Sequence, residues 1–307
     1  MTARLLDGRA VASHLWRELS QRVARLSEVQ GAAPRLGIVR FDTGGASAVY
    51  AGSLERGARS IGIEPLLVTP PLGVTFVDLT ARVGALNRDP AVVGIVIAQP
   101  VPSRLDGPAV LNLIDPSKDV DGATSTSAGR LARGQPAFVP ATALAVMALL
   151  RAFDIAIAGR RAVIVGRSAL VGRPVADLLL AADATVVVCH RQTRNLARET
   201  RRADILVVAA GVPGLIRAEM VNRNAVVIDC GINTTPLGLV GDVEPGLRSI
   251  VSAITPVPGG VGPVTTMMVL RQTVEAAEAA AATGDEALAR FAIGTPDRQA
   301  ATRERRG

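Results

Sequence analysis

Short apolar runs alternate along the chain with longer stretches in which apolar residues recur every three or four positions. RLGIVRF (35–41) is an apolar run of strand length, and ASAVYAGSLERGARSIG (46–62) has helical spacing. EPLLVTP (64–70) predicts the next strand, a helix follows around 76–88, and VVGIVIAQP (92–100) predicts a third strand. This β-α-β-α-β order implies a parallel sheet. Residues 107–114 predict a short helix, and DPSKDVDG (115–122) carries the Asp, Ser and Gly of a loop. A helix of small apolar residues is expected over 140–153, and then a second α/β unit begins. Its strands are RRAVIVG (160–166), TVVVCH (185–190), DILVVAAG (204–211) and AVVIDCGIN (225–233), with the helix VADLLLAADA after the first. TPVPGGVGP (255–263) reads as a Pro/Gly loop that opens into a last helix, VTTMMVLRQTVEAAEAAAAT. No internal repeat or coiled-coil heptad is present.

A length of 307 residues suits about two domains. With 49% hydrophobic and 20% charged residues, global disorder is excluded. Aromatics are only 2%, so the cores must be built from Ala, Val, Leu and Ile, which suits parallel strands covered by helices. No apolar run approaches the ~20 residues of a bilayer span, and MTARLLDGRA lacks the apolar region of a secretory signal. A cytoplasmic protein without membrane contact is expected. Cys189 and Cys230 are too few for a disulfide framework or a metal pair and read as small buried residues. The formal charge is +7, and Lys118 is the sole lysine among 34 basic residues. No basic helix interleaved with aromatics accompanies that charge, so nucleic acid is not expected as a partner, whereas phosphorylated cofactors would account for local arginines.

VGRSALVGRP (165–174) lies between a strand and a helix. Small residues there let a backbone approach a pyrophosphate at a helix N-terminus. It is not a GxGxxG motif, since Ser168 and Val171 replace two glycines, and alone it reads equally as an ordinary tight turn. At the end of the next strand, where NAD-selective sites place an acid, stand His190 and Arg191. Arginine suits a 2′-phosphate, which favours NADP, with Arg167 a second candidate. Taken singly, each arginine also reads as a solvated charge, and His190 as a residue that satisfies a backbone group. Tyr50, the only tyrosine, falls on the helix after the first strand, near the edge where open α/β sheets bind ligands. Lys118, Asp119 and Asp121 read as a solvated turn unless a ligand uses the last of them.

The order of the motifs is more specific than any one of them. GGASAVY, GIVIAQPVP, DPSKDVDG, VGRSALVGRP, DCGIN and TPVPGGVGPVT, in that order, closely resemble the bifunctional methylenetetrahydrofolate dehydrogenase/cyclohydrolase family over about residues 3–280. GRLARGQPAFVPAT is similar to the family's interdomain segment and CHRQTRNL to its NADP-side loop. The resemblance implies an α/β fold of two domains with a folate cleft between the lobes. The N-terminal parallel α/β catalytic lobe would take residues 1–139 plus 265–285, and a Rossmann-like NADP lobe residues 140–264, leaving 286–307 as a mobile tail. It also implies a homodimer that oxidises 5,10-methylenetetrahydrofolate with NADP and then hydrolyses the methenyl product to 10-formyltetrahydrofolate. By matched position, Asp121 would grip the pterin and Tyr50 would stack on or bond to the folate near its reacting carbon. Pro100, Gly262 and Pro263 would line the folate pocket, and Gly166, Arg167, Ser168, Arg191 and Ile232 would contact NADP. No metal is implied.

Two positions depart from the family. Its Tyr-x-x-x-Lys becomes YAGSL, placing Leu54 where lysine belongs, and the glutamine of its VQLPLP strand end becomes Ala98. Gln99 is one residue later and, on a strand, would face the other way. Hydride transfer is mainly positioning. Hydrolysis needs a proton-transfer group whose loss typically costs ~10²–10⁴-fold. Dehydrogenase activity is therefore expected to survive, and cyclohydrolase activity to be weak or absent. Two alternatives stay open: an NADP-linked oxidoreductase acting on an altered pterin-like substrate, and a non-catalytic folate or nucleotide sensor.

Overall fold

The computed structural model describes residues 2–41, 45–71, 73–236 and 238–281. The expected tail (286–307) and Gly44, the first residue of GGASAVY, lie outside them. Strand β1 (Arg4–Leu5) leads into helix α1 (Gly8–Gln30), an element not among the expected ones. Asp7 caps α1 by accepting the Arg9 N–H at 2.9 Å, and Gly31 ends it at φ 70°. The first α/β unit then runs β2 (Arg35–Val39), α2 (Gly45–Ile61), β3 (Glu64–Val68), α3 (Phe76–Arg88), β4 (Val92–Ile97) and α4 (Gly107–Leu111). Helix α5 (Ser125–Ala132) and helix α6 (Ala141–Ala152) follow. The second unit is β5 (Arg161–Val165), α7 (Gly172–Ala181), β6 (Thr185–Cys189), α8 (Leu196–Thr200), β7 (Ile205–Val208), β8 (Val226–Asp229), β9 (Asn233–Thr235), β10 (Gly238–Val240), β11 (Ala253–Ile254) and α9 (Val261–Ala281).

Strands β3-β2-β4 form a three-stranded parallel sheet. Alternation sends Leu36, Ile38, Val96 and Ala98 to one face, and Val39, Ile95 and Ile97 to the other, where Leu79 and Val83 of α3 cover them. The second sheet is six-stranded and parallel in the order β1-β11-β8-β7-β5-β6. Helices α6 and α9 join the two sheets. Val146, Leu149, Val264 and Met268 belong to one apolar cluster that reaches from Leu36 and Ile38 of the first sheet to Ala162 and Ile164 of the second. Aliphatic residues make up most of it, as the scarcity of aromatics required, with Phe138 buried among them.

The expected strand over 225–233 stops at Asp229, and Asn233 opens a β9–β10 antiparallel hairpin. Cys230, beyond the end of β8, is consequently only half-buried, whereas Cys189 is buried as expected. Helix α9 begins at Val261, inside the expected Pro/Gly loop, because a glycine and a proline are both tolerated in a first helical turn.

Candidate active site

Helix α2 starts beyond the carboxyl end of β2 and carries Tyr50. The Tyr50 hydroxyl donates to Asp121 Oδ2 at 3.3 Å, and both side chains are half-buried. Burial and the charge of Asp119 push the Asp121 carboxyl up to about 7, against hydrogen bonds from Tyr50 and the Ala141 N–H. Tyr50 is itself raised by burial and by the Asp121 charge, so it remains a donor.

The charged triplet Lys118, Asp119 and Asp121 is not a solvated turn. Lys118 Nζ donates to the carbonyls of Leu86, Asn87 and Asp89 at 3.2, 2.7 and 2.7 Å, closing the end of α3. Asp119 is fully buried and accepts from the Ala123 and Thr124 N–H groups and, at 2.6 Å, from Ser127 Oγ. Gln272 of α9, also fully buried, donates to the carbonyls of Val120 and Val139 and accepts the Val139 N–H. These bonds fix the loop that presents Asp121. Sequence reading missed Gln272; its one signal was a polar residue inside an apolar helical run.

Leu54 lies one helical turn from Tyr50 and is fully buried. It belongs to the apolar cluster that also holds Ala98, Val96 and Val120, so both departures are hydrocarbon within the core. Among the described residues, Gln99 Nε2 and Ser47 Oγ are buried without a hydrogen-bond partner. Ser47 was also missed, although its i,i+3 spacing from Tyr50 was visible. Pro100 is exposed just beyond β4. Gly262 and Pro263 occupy the first turn of α9, and the space that a side chain would take at Gly262 is open.

At the second sheet, Gly166 has φ 130°, and a side chain there would strike the Ala209 carbonyl. One at Gly172 would strike the Gly166 carbonyl. The turn is thus packed to backbone thickness at the start of α7, where a helix N-terminus favours phosphate. Ser168 Oγ accepts the Gly172 N–H at 3.4 Å. Arg167, Ser168 and Arg191 are exposed, as is Ile232 at 60%. His190 satisfies backbone: its Nδ1 accepts the Gln192 N–H at 3.2 Å. Among the described residues no cluster of His, Cys, Asp and Glu could hold a metal ion, and no helix is long and apolar enough to cross a membrane.

Residues 6–121 match the model of the tetrahydrofolate dehydrogenase/cyclohydrolase catalytic domain, and residues 140–281 that of its NAD(P)-binding domain. The bifunctional protein FolD of Psychrobacter sp. (strain PRwf-1) is 44% identical over 285 residues, 91% of this chain and 98% of its own. The chain belongs to the tetrahydrofolate dehydrogenase/cyclohydrolase family. Two solved family members show the same fold. The bifunctional FolD of Campylobacter jejuni has a TM-score of 0.87 at 39% identity, covering 90% of this chain and 99% of its own. The Trypanosoma brucei N5,N10-methylenetetrahydrofolate dehydrogenase-cyclohydrolase, complexed with NADP and an inhibitor, has a TM-score of 0.87 at 39% identity over 91% and 98%. The two-lobe α/β fold and the family resemblance are both borne out.

Proposed function

We propose that this family member is an NADP-dependent 5,10-methylenetetrahydrofolate dehydrogenase whose cyclohydrolase step is weak or absent. One observation carries the second half: Leu54, where the family has lysine, is fully buried in the same apolar cluster as Ala98. Asp121 accepts pterin N–H groups, and Tyr50 packs on the folate near its reacting carbon. Pro100, Gly262 and Pro263 line that pocket. The close-packed Gly166–Gly172 turn fits a pyrophosphate, with Arg167, Ser168, Arg191 and Ile232 around it. Arg191 stands where an acid would select NAD, which supports NADP.

NADP supplies the hydride acceptor. A folate nitrogen lone pair expels the hydride from the methylene carbon, leaving the methenyl cation, and no proton moves. This chain's residues need only hold the folate in place. Ring opening differs, because water adds to the methenyl carbon and that water must lose a proton. Neither Leu54 nor Ala98 can take that proton. The less polar pocket also favours a second reading, an altered pterin-like substrate. A homodimer is part of the proposal by likeness to the family.

The test is to mix the protein with 5,10-methylenetetrahydrofolate and NADP, following methenyl product and NADPH separately. Methenyl product that accumulates in step with NADPH supports the proposal. NADPH without methenyl accumulation would show that the ring opens on the enzyme, and absence of NADPH would favour an altered substrate or a non-catalytic sensor.

A further inference from the structure

Two carboxylates lie under the carboxyl edge of the second sheet. Asp229 ends β8 and Asp242 follows β10; they are 4% and 0% exposed. Asp242 Oδ2 accepts the N–H groups of Ala210 and Gly211 at 2.6 and 2.8 Å, and its Oδ1 accepts from Asn233 Nδ2 at 2.8 Å. Asp229 Oδ1 accepts from Gly231 and Asp242 N–H at 2.8 and 3.0 Å, and its Oδ2 from Val243 N–H at 3.0 Å. None of these partners is a cation. Glycines make the room: a side chain at Gly231 would strike the Asp242 carboxylate, and one at Gly241 the Asp229 carboxylate.

Burying carboxylates without a cation is costly unless every oxygen is hydrogen-bonded. What this arrangement secures is the main chain of the two loops that leave β7 and β8. Gly166 packs on the carbonyl of Ala209, one residue before the first loop's anchored N–H groups. Asn233 directly follows Ile232 in the second. Asp242 therefore bridges the edge that the phosphate turn shares.

We propose that Asp242 is a positioning residue for the dinucleotide: it fixes the Ala210–Gly211 backbone and, through the Asn233 side chain, the segment beside Ile232 on which the bound cofactor rests. This builds on the reading of that edge as the NADP site. Donor counting supplies a specific test. Asparagine at 242 still accepts the two N–H groups, but its amide then faces the Asn233 amide, and Asn233 escapes the donor–donor contact only by flipping its Nδ2 away from the Val240 carbonyl, 3.4 Å from it. Exchanging both, Asp242→Asn with Asn233→Asp, restores one donor facing one acceptor.

The experiment uses the full chain, with NADP binding by calorimetry, KM for NADP and for folate, kcat, and the thermal midpoint. Asp242→Asn should weaken NADP binding by about tenfold or more while the folate KM stays within about twofold, and the double exchange should recover most of the loss. Unchanged NADP affinity in a folded Asp242→Asn protein would overturn the proposal, as would a folded double exchange without recovery. If Asp242→Asn does not fold, Asn233→Ala decides: a raised KM for NADP alone supports the bridge, and no change refutes it. Wild-type protein that binds no nicotinamide dinucleotide would instead refute the reading of the site itself.

Discussion

The double substitution Leu54→Lys with Ala98→Gln restores the two side chains the family carries, and its effects on stability and on chemistry should have opposite signs. Leu54 is fully buried, so exchanging it forfeits ~1.5–3 kcal/mol of apolar burial and places an ammonium in hydrocarbon. At ~1.5–2 °C per kcal/mol for a chain of this size, that alone lowers the thermal midpoint by about 2–6 °C. Extending Ala98, also fully buried, adds an overpacking cost of ~1–3 kcal/mol. The same burial depresses the new lysine's pKa toward neutrality, which suits it to take a proton from attacking water. Hydrolysis of methenyltetrahydrofolate should then rise by ~10²–10⁴-fold. The assay is decay of purified methenyltetrahydrofolate without NADP, corrected for the buffer rate, with dehydrogenase activity as the control for folding. A variant that still oxidises methylenetetrahydrofolate but hydrolyses no faster than wild type would refute the reasoning. Wild-type protein that hydrolyses well above the buffer rate would refute it from the other side.

Asp121 has its carboxyl raised from 3.8 to about 7, so the stability it contributes is present below about pH 4 and lost as pH rises through 7. Asp121→Asn cannot ionise, so its thermal midpoint should match wild type at low pH and exceed it at pH 8, while folate turnover falls. Thermal scans across pH check this, and a gap that does not widen with pH would count against it. Arg191→Ala should cut the preference for NADP over NAD by ~10–100-fold in kcat/KM, the worth of a charge-assisted bond to phosphate; an unchanged ratio would remove Arg191 from the site. Lys118→Met deletes three bonds to the end of α3 and should lower stability by ~1–3 kcal/mol, read as a shifted urea midpoint at constant slope.

The central strands were legible because their apolar runs are buried on both faces, and the site motifs because glycine, proline and charge recur at fixed offsets. Helix α1 was not legible. Only Gly8, Leu19 and Val23 of its residues are buried, so arginine and serine mask the apolar stripe, although Asp7 and Gly31 were visible as caps. The DPSKDVDG loop misled for another reason. Charge clusters usually mark solvent, but here Asp119 meets the Ala123 and Thr124 N–H groups just before α5, and Lys118 meets carbonyls at the end of α3, which is distant in sequence. Asp242 escaped for the same cause: nothing local to GDVE shows that its oxygens reach the turn after β7. Contact between Tyr50 and Asp121 could be expected only from the family resemblance, since 71 positions separate them.

In the cofactor sheet, the outer strand β1 is made first and paired last. Arg4 pairs with Ala253 and Leu5 with Ile254, so during synthesis these residues wait for almost the whole chain, on the order of ten seconds or more at ribosomal speed. The β2–β4 sheet closes within a short span of chain, whereas the dinucleotide sheet has one of the longest closures this polypeptide can make. Trimming or fusing the N-terminus would therefore register in the cofactor lobe, and late in folding, although every cofactor motif lies more than half the chain away.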